Sequence, residues 1–451
     1  MKNGILIFGI FLRIKFFLIH GLILVFIATY LSSCIDPVEP IEPVVYETPL
    51  QISGYTDKTS YATGETVLVY ISADKNYDHG IIRLFDVNGK QVDKIITPLK
   101  NQMVTNSEPW KNGLGYAVSF EYSIPFFLRS GLYFWENQIP FIVKSVIPGK
   151  VIIVYPSNTI NAYTKTQSVN LYTKNVTHVS FYRPQNIAEG YVLPFLKWVK
   201  DIESEDWSYI CDRDLDDDYY LSGAKLLIIA GHNEYWTRKG RENFDAFVDH
   251  GGHAMVLSGN TMWWQVRFEM DALICYKLLK DPVNDPMLQT KLWNDPTLNY
   301  PIMASIGADF DHGGYGLKVD RGWNGYKITQ PGSPLFAGLN LNGGEIISLP
   351  TGEYDGAPLK GFSSEGVPII DQDLLGFNKV ELLGYDFGFR GVETVGTFIV
   401  FQKTPTSGIV INAGSNHWCT NYGIGAGDGK VKKITWNMLD ILLNDKPVFT
   451  P

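Results

Sequence analysis

Four runs in this chain are apolar at nearly every position, and they constrain its architecture more than any other feature. Lys150–Tyr155, Ala224–Ala230, Ala254–Ser258 and Gly408–Ala413 lack the in-out alternation of a strand with one wet face. Strands of that kind need cover on both faces, which parallel sheets obtain from helices. Helical spacing lies where such cover is required. It runs over Tyr191–Ile202 despite Pro194, over Arg238–Val248 with Gly251-Gly252 as the stop, and over Lys430–Leu443. With a short strand at Trp207–Cys211, the alternation implies right-handed βαβ units around a parallel sheet. The stretch between Gly259 and Ser407 reads as long and loop-rich, and no internal repeat is visible.

Upstream the style differs. Thr66–Ser72, Ile81–Val87, Tyr116–Tyr122, Gly131–Trp135 and Ile139–Lys144 are β-branched and aromatic, and Asn88-Gly89 marks a hairpin turn. Short strands at regular spacing predict an antiparallel sandwich. A chain of 451 residues exceeds one ordinary core. The expected division is a sandwich over 49–146 and an α/β domain over 147–451.

The N-terminus sets an expected compartment. Lys2, Arg13 and Lys15 precede an apolar run from Phe16 to Leu31, and Leu31-Ser32-Ser33-Cys34 follows. Basic residues, an apolar stretch and small residues before a cut describe an export signal over 1–33. Cysteine at that point resembles a bacterial lipobox, in which Cys34 carries the lipid anchor. An uncleaved membrane anchor is the alternative. Residues 34–48 alternate proline with acid and read as an extended tether. The acidic stretch is similar to the surface-export signal of some Bacteroidetes lipoproteins. The expected location is the bacterial cell envelope, lipid-anchored at the outer membrane, on its periplasmic face or at the cell surface.

Net charge is −9 and the basic residues are scattered, so the clustered footprint of a nucleic-acid binder is absent. Cys211, Cys275 and Cys419 show no Cys-x-x-Cys spacing and read mainly as buried small apolar residues. There is no Gly-x-Ser-x-Gly elbow, no HExxH and no GxGxxG.

Ligands of open α/β sheets bind beyond the carboxyl ends of the strands. Here the tips are Ser157–Tyr163, Gly231–Trp236, Gly259–Trp264 and Gly414–Trp418, all rich in polar and aromatic side chains. His232, Glu234 and Tyr235 bring an imidazole, a carboxylate and a phenol within four residues, a set suited to a hard metal, a proton relay or a polar substrate. Thr237 is placed to cap the following helix. The plainer alternative is that His232 and Glu234 satisfy a tight turn while Tyr235 and Trp236 pack. The rim residues Asn158, Tyr163, Asn260, Trp263, Trp264 and His417 are the candidate substrate contacts.

Several segments carry a family resemblance: Leu227–Thr237 (LIIAGHNEYWT), Asp245–Gly252, Leu257–Asn260, Asn158–Tyr163, Asp212–Leu215, Ser130–Tyr133 and Gly414–Trp418. Together, over roughly residues 50 to 443, they resemble the C-terminal domain of the N,N-dimethylformamidase large (beta) subunit family. The resemblance implies an Ig-like β-sandwich followed by a glutamine-amidotransferase-like (flavodoxin-like) three-layer α/β/α domain. It also implies hydrolysis of an amide-like C–N bond with a mononuclear iron held by two tyrosines and a glutamate. Tyr235 matches one tyrosinate. Asp311, in Gly307–Tyr315, is the nearest match for the acidic ligand. The second tyrosine has no matching position: Tyr163, Tyr191 and Tyr209 all lie upstream of Tyr235. Trp263 replaces a family tyrosine, and Asn233 a proline. Glu234 and His232 are the expected acid/base groups, and the partner is a small amide or an envelope polymer. The competing expectation is a non-catalytic envelope protein gripping a glycan through Trp236, Trp263, Trp264 and Trp418.

Overall fold

The computed structural model describes residues 50–316 and 322–450. The export signal, Cys34 and the tether lie outside the described residues. Among those residues, no helix is long and apolar enough to cross a membrane.

The upstream strands form two sheets around one core. Ile52–Thr56, Thr66–Ala73 and Phe120–Ser123 make the first sheet, with Thr66–Ala73 in the middle. The second runs Ser60–Ala62, Ile139–Lys144, Gly131–Trp135, Tyr77–Asp86, Gln91–Leu99. Alternation does what it should in Thr66–Ala73, where Val67, Val69, Ile71 and Ala73 point inward. Trp135 sits at the centre, with the rings of Phe120 and Tyr122 edge-on at 5.2 and 4.9 Å.

The expected strand Tyr116–Tyr122 is shorter than its composition suggested. Only Phe120–Ser123 joins the ladder. The Gln102 carboxamide takes over at Ala117, accepting its N–H at 2.7 Å and donating to its C=O at 2.9 Å. A side chain has replaced the neighbouring strand.

Downstream, five parallel strands lie in the order Trp207–Cys211, Val151–Tyr155, Leu226–Ala230, His253–Leu257, Ile409–Asn412. Both faces are covered, as their uniform apolarity requires. Val151, Ile153 and Tyr155 pack with Phe195, Leu196 and Val199 of the helix Leu193–Ile202 and with Ile434 and Met438 of the helix Lys430–Leu443. Ile152 and Val154 turn to the opposite face, with Phe244 and Val248 of the helix Arg238–Asp249. Thr237 caps that last helix, accepting the Gly240 N–H at 3.0 Å. Cys211, Cys275 and Cys419 are buried and unpaired.

The stretch read as loop-rich extends the same sheet with the opposite polarity. Glu393–Gln402 pairs antiparallel with Ile409–Asn412, Lys379–Phe389 pairs with Glu393–Gln402, and Gly314–Tyr315 and Glu353–Gly356 follow. Glycines, charged residues and a register shift between Leu382 and Gly384 hid these strands from a pattern search. The protein is therefore a mixed α/β fold with β-rich parts.

The sandwich packs directly onto the parallel sheet. Leu132, Phe134 and Ile142 share a core with Tyr209, and Asp214 accepts hydrogen bonds from Ser60 at 2.9 Å and Lys144 at 2.7 Å. The Asp212–Leu215 motif thus has a docking role.

Phe398 is fully buried in the antiparallel extension. Phe398→Ala is expected to cost about 3–5 kcal/mol, the usual range for an aromatic removed from a core. Chemical denaturation measures this; a loss below about 1 kcal/mol would place the hairpin outside the cooperative core.

Candidate functional site

The four strand tips meet. Asn158 Nδ2 donates to the Tyr235 carbonyl at 3.0 Å, and the Glu234 N–H donates to Thr159 Oγ1 at 2.9 Å. Met262 and Trp264 donate their N–H groups to the carbonyls of Asn233 and Glu234 at 3.1 and 2.9 Å. Tyr235–Thr237 then pairs in parallel with Trp264–Glu269 as a short strand. Asn416 joins from the last tip. Its N–H donates to the Glu353 carbonyl at 3.2 Å, its side-chain Oδ1 accepts the Glu353 N–H at 3.1 Å, and its Nδ2 lies 3.3 Å from Glu353 Oε2.

A cluster of phenols and carboxylates occupies the meeting point. Glu234 Oε1 accepts from the Tyr172 hydroxyl at 2.7 Å and from Trp264 Nε1 at 2.9 Å. Tyr172 and Tyr163 share a hydroxyl–hydroxyl contact of 3.0 Å, and the Tyr163 ring stands 6.5 Å from that of Tyr235. His232 Nε2 lies 3.0 Å from Glu353 Oε2 and 3.8 Å from Glu234 Oε2. Tyr191 stacks on His232 at 5.5 Å and meets His417 edge-on at the same distance. Glu234 Oε2 and Tyr235 Oη are buried without a hydrogen-bond partner.

The electrostatics follow from that burial. Desolvation, reinforced by the Glu234 carboxylate, holds the Tyr163 and Tyr235 phenols well above their usual value; Tyr172 is raised as well, though with 48% of the residue exposed the adjacent Glu234 carboxylate is the firmer cause. Burial likewise raises the Glu234 carboxyl, opposed by His232. At His232 burial pulls downward, but the hydrogen bond and charge of Glu353 prevail and the imidazole is raised. Burial lowers His417, whose Nδ1 faces the Pro350 carbonyl at 2.6 Å.

The expected site residues divide. His232, Glu234, Tyr235, Asn158, Tyr163, Trp264 and His417 belong to this network. Asn260 is buried at a left-handed backbone position, φ 55°, in the Gly259–Trp264 tip. Trp263 packs edge-on against Phe310 at 5.4 Å, beneath Arg390. Asp311 was expected beside Tyr235, but its side chain is half-exposed and engaged elsewhere. Asn294 donates to it at 3.2 Å and Arg390 lies 3.3 Å away, because the short helix Phe310–Gly313 presents it to that side. Asp309, fully buried, caps that helix and holds His312 at 2.7 Å. Tyr209 is not in the cluster either; its hydroxyl donates to Glu203.

The aromatic rim is also revised. Trp236, Trp263, Trp264 and Trp418 are between 1% and 6% exposed, so they form no open surface for a polymer. Three contributors escaped the sequence reading: Tyr172, Lys277 and Glu353. None sits in a motif, and Glu353 arrives on a strand hidden in the stretch read as loops.

Among the described residues no group of three His, Cys, Asp or Glu is arranged to hold a metal, so iron here would depend on phenol oxygens. Those phenols are present. Two unpartnered buried oxygens, Tyr235 Oη and Glu234 Oε2, stand in a hard-donor set that suits a ferric ion. A separate cleft of about 500 Å³ lies between the sandwich and the Asp212–Leu215 motif, but Lys144 and Asp214 pair across it.

Fold and site define a class: a mixed α/β protein with a phenol–carboxylate cluster where its strand tips converge. A family model described as N,N-dimethylformamidase beta subunit-like, C-terminal, matches residues 42–428, and the chain belongs to that family. No curated protein matches the chain. Membership suggests an amidohydrolase-like function.

Asp212 supports the site from below. Its Oδ2 accepts from the Asn158 N–H at 2.7 Å and from Ser157 at 3.3 Å, and burial pushes its carboxyl up to about 7. An acid raised in the folded state is better accommodated protonated. Its contribution therefore falls as pH climbs from the ordinary value of 3.8 to about 7, and changes little above. Asp212→Asn should gain stability relative to the parent across that window, measured by urea unfolding from pH 4 to 8. A constant difference would contradict this.

Proposed function

We propose that the protein is a metal-assisted hydrolase of an amide-like C–N bond, anchored to the cell envelope. The observation that carries this reading is a phenol–carboxylate cluster, buried at His232, Glu234 and Tyr235 and half-open at Tyr163, Tyr172 and Glu353, with Tyr235 Oη and Glu234 Oε2 left without partners, in a chain of this family. Tyr235 and Tyr163 would supply phenolate oxygens, and Glu353 the carboxylate in place of Asp311. Glu353 is favoured because its charge acts on Tyr163 and His232, whereas Asp311 is engaged with Arg390 and Asn294. A ferric ion so held would polarise an amide carbonyl and make bound water more acidic.

The remaining residues have roles of their own. Tyr172 and Trp264 fix Glu234 by its Oε1 and leave Oε2 facing the cluster. A carboxyl whose hold on a proton is strengthened by burial is suited to proton exchange, and His232 beside it can carry one toward a leaving amine. The Trp264 indole, 6% exposed and bonded to Glu234, borders the cluster on its apolar side, favouring a small substrate over a polymer. The envelope location rests on the Lys2–Cys34 pattern alone.

Protein from iron-replete expression is expected to carry about one iron per chain, with a visible phenolate-to-iron absorption. Tyr235→Phe, Tyr163→Phe and Glu353→Gln should each remove it, while Asp311→Asn should retain it. Colourless, metal-free parent protein would overturn the reading, and loss only in Asp311→Asn would restore the original ligand assignment.

The acid/base roles make a second expectation. Glu234→Gln should lower kcat on a small tertiary amide by about 10²–10⁴-fold, the usual contribution of general acid–base catalysis, with iron content unchanged. A kcat within about threefold of the parent would exclude Glu234 from proton transfer.

A further inference from the structure

Lys277, half-buried with its ammonium out of solvent, lies beside the cluster and has been given no role yet. It follows the strand Ala272–Ile274 at a left-handed backbone position, φ 56°, which a non-glycine residue holds only when its surroundings enforce it. The next residue, Leu278, is 85% exposed. The lysine instead sends its Nζ inward, 3.2 Å from the centre of the Tyr172 ring, with the rings of Trp264 and Tyr235 at 5.5 and 5.7 Å. That nitrogen is out of solvent and meets no hydrogen-bond acceptor.

Aromatic faces return only part of the hydration an ammonium loses on burial. Burial pulls the Lys277 ammonium below its usual value and Cys275 and Glu234 oppose that through their charges, but Glu234 Oε1 is held by Tyr172 and Trp264 and the two residues form no ion pair. The partner that would complete this environment is an anion arriving with the ligand. Glu234 and Glu353 limit its charge, because a dianion would be repelled more strongly than a monoanion.

We propose that Lys277 forms an anion subsite beside the phenol cluster, built for a small monocarboxylate. The subsite deepens the hydrolase reading and takes its biological sense from it, since cleaving an amide releases a carboxylate. Its binding chemistry can be measured without any turnover.

The test is titration of the full-length protein with formate and acetate, followed by calorimetry, for the parent, Lys277→Met and Lys277→Arg. The parent should bind both anions, and inorganic phosphate more weakly than acetate. Lys277→Met should weaken acetate binding at least tenfold, a modest loss for a charge-assisted contact. Lys277→Arg keeps the charge without the cavity a smaller residue would leave, and should remain within about threefold of the parent. Acetate binding that is undiminished in Lys277→Met, or absent in the parent, overturns the subsite. Parallel assay of amide hydrolysis separates the two claims. Lys277-dependent binding without hydrolysis upholds the subsite and sinks the hydrolase reading; hydrolysis with Lys277-independent binding does the reverse.

Discussion

A carboxylate taken out of water has to be held by donors, and at Glu234 that requirement organises the site. The Tyr172 hydroxyl and the Trp264 indole N–H converge on one of its oxygens, from segments 62 and 30 residues away. Each donor ties a separate piece of chain to the tip of the strand Leu226–Ala230. The Asn158 side-chain amide and the N–H groups of Met262 and Trp264 add further ties to the same tip. Burial costs are met by mutual satisfaction, and Glu234 Oε2 and Tyr235 Oη are among the atoms left without a partner.

The fold is arranged to make that surplus tolerable. Parallel strands covered on both faces give a rigid platform, and their carboxyl ends present loops that need not pack as core. The antiparallel extension contributes Glu353, whose carboxylate reaches His232 from the far side. Arg183 braces the opposite flank. Its buried guanidinium donates to the carbonyls of Thr164 and Ser180 at 2.7 Å and to Asn161, clamping the segment that carries Tyr163. The sandwich docks at the carboxyl end of the edge strand Trp207–Cys211 through Asp214.

Much of this was legible in the residues, and the reasons are physical. Uniformly apolar runs identify covered parallel strands, so the sheet centre, its helices and the convergence of the four tips could be read directly. His232, Glu234 and Tyr235 were found because they are adjacent. Glu353, Tyr172 and Lys277 were not, because their relation to the cluster is set by nonlocal pairing. Lys379–Phe389 illustrates the difficulty: KVELLGYDFGF mixes charge, glycine and aromatics, and becomes a strand through its partners. Asp311 was chosen by sequence position within a glycine-rich stretch, and a single helical turn directs it to Arg390 instead. The tryptophans had seemed a surface and proved to be walls, since indoles between crowded strand tips are where apolar area is buried.

The account's central claim is that one iron sits among the oxygens of Tyr163, Tyr235 and Glu353. Anomalous diffraction at the iron edge, from crystals of iron-replete protein, tests it most directly. A single peak within coordination distance of those three side chains is the predicted result. A peak beside Asp311 and Arg390, or no peak at the cluster in fully iron-loaded crystals, would contradict it.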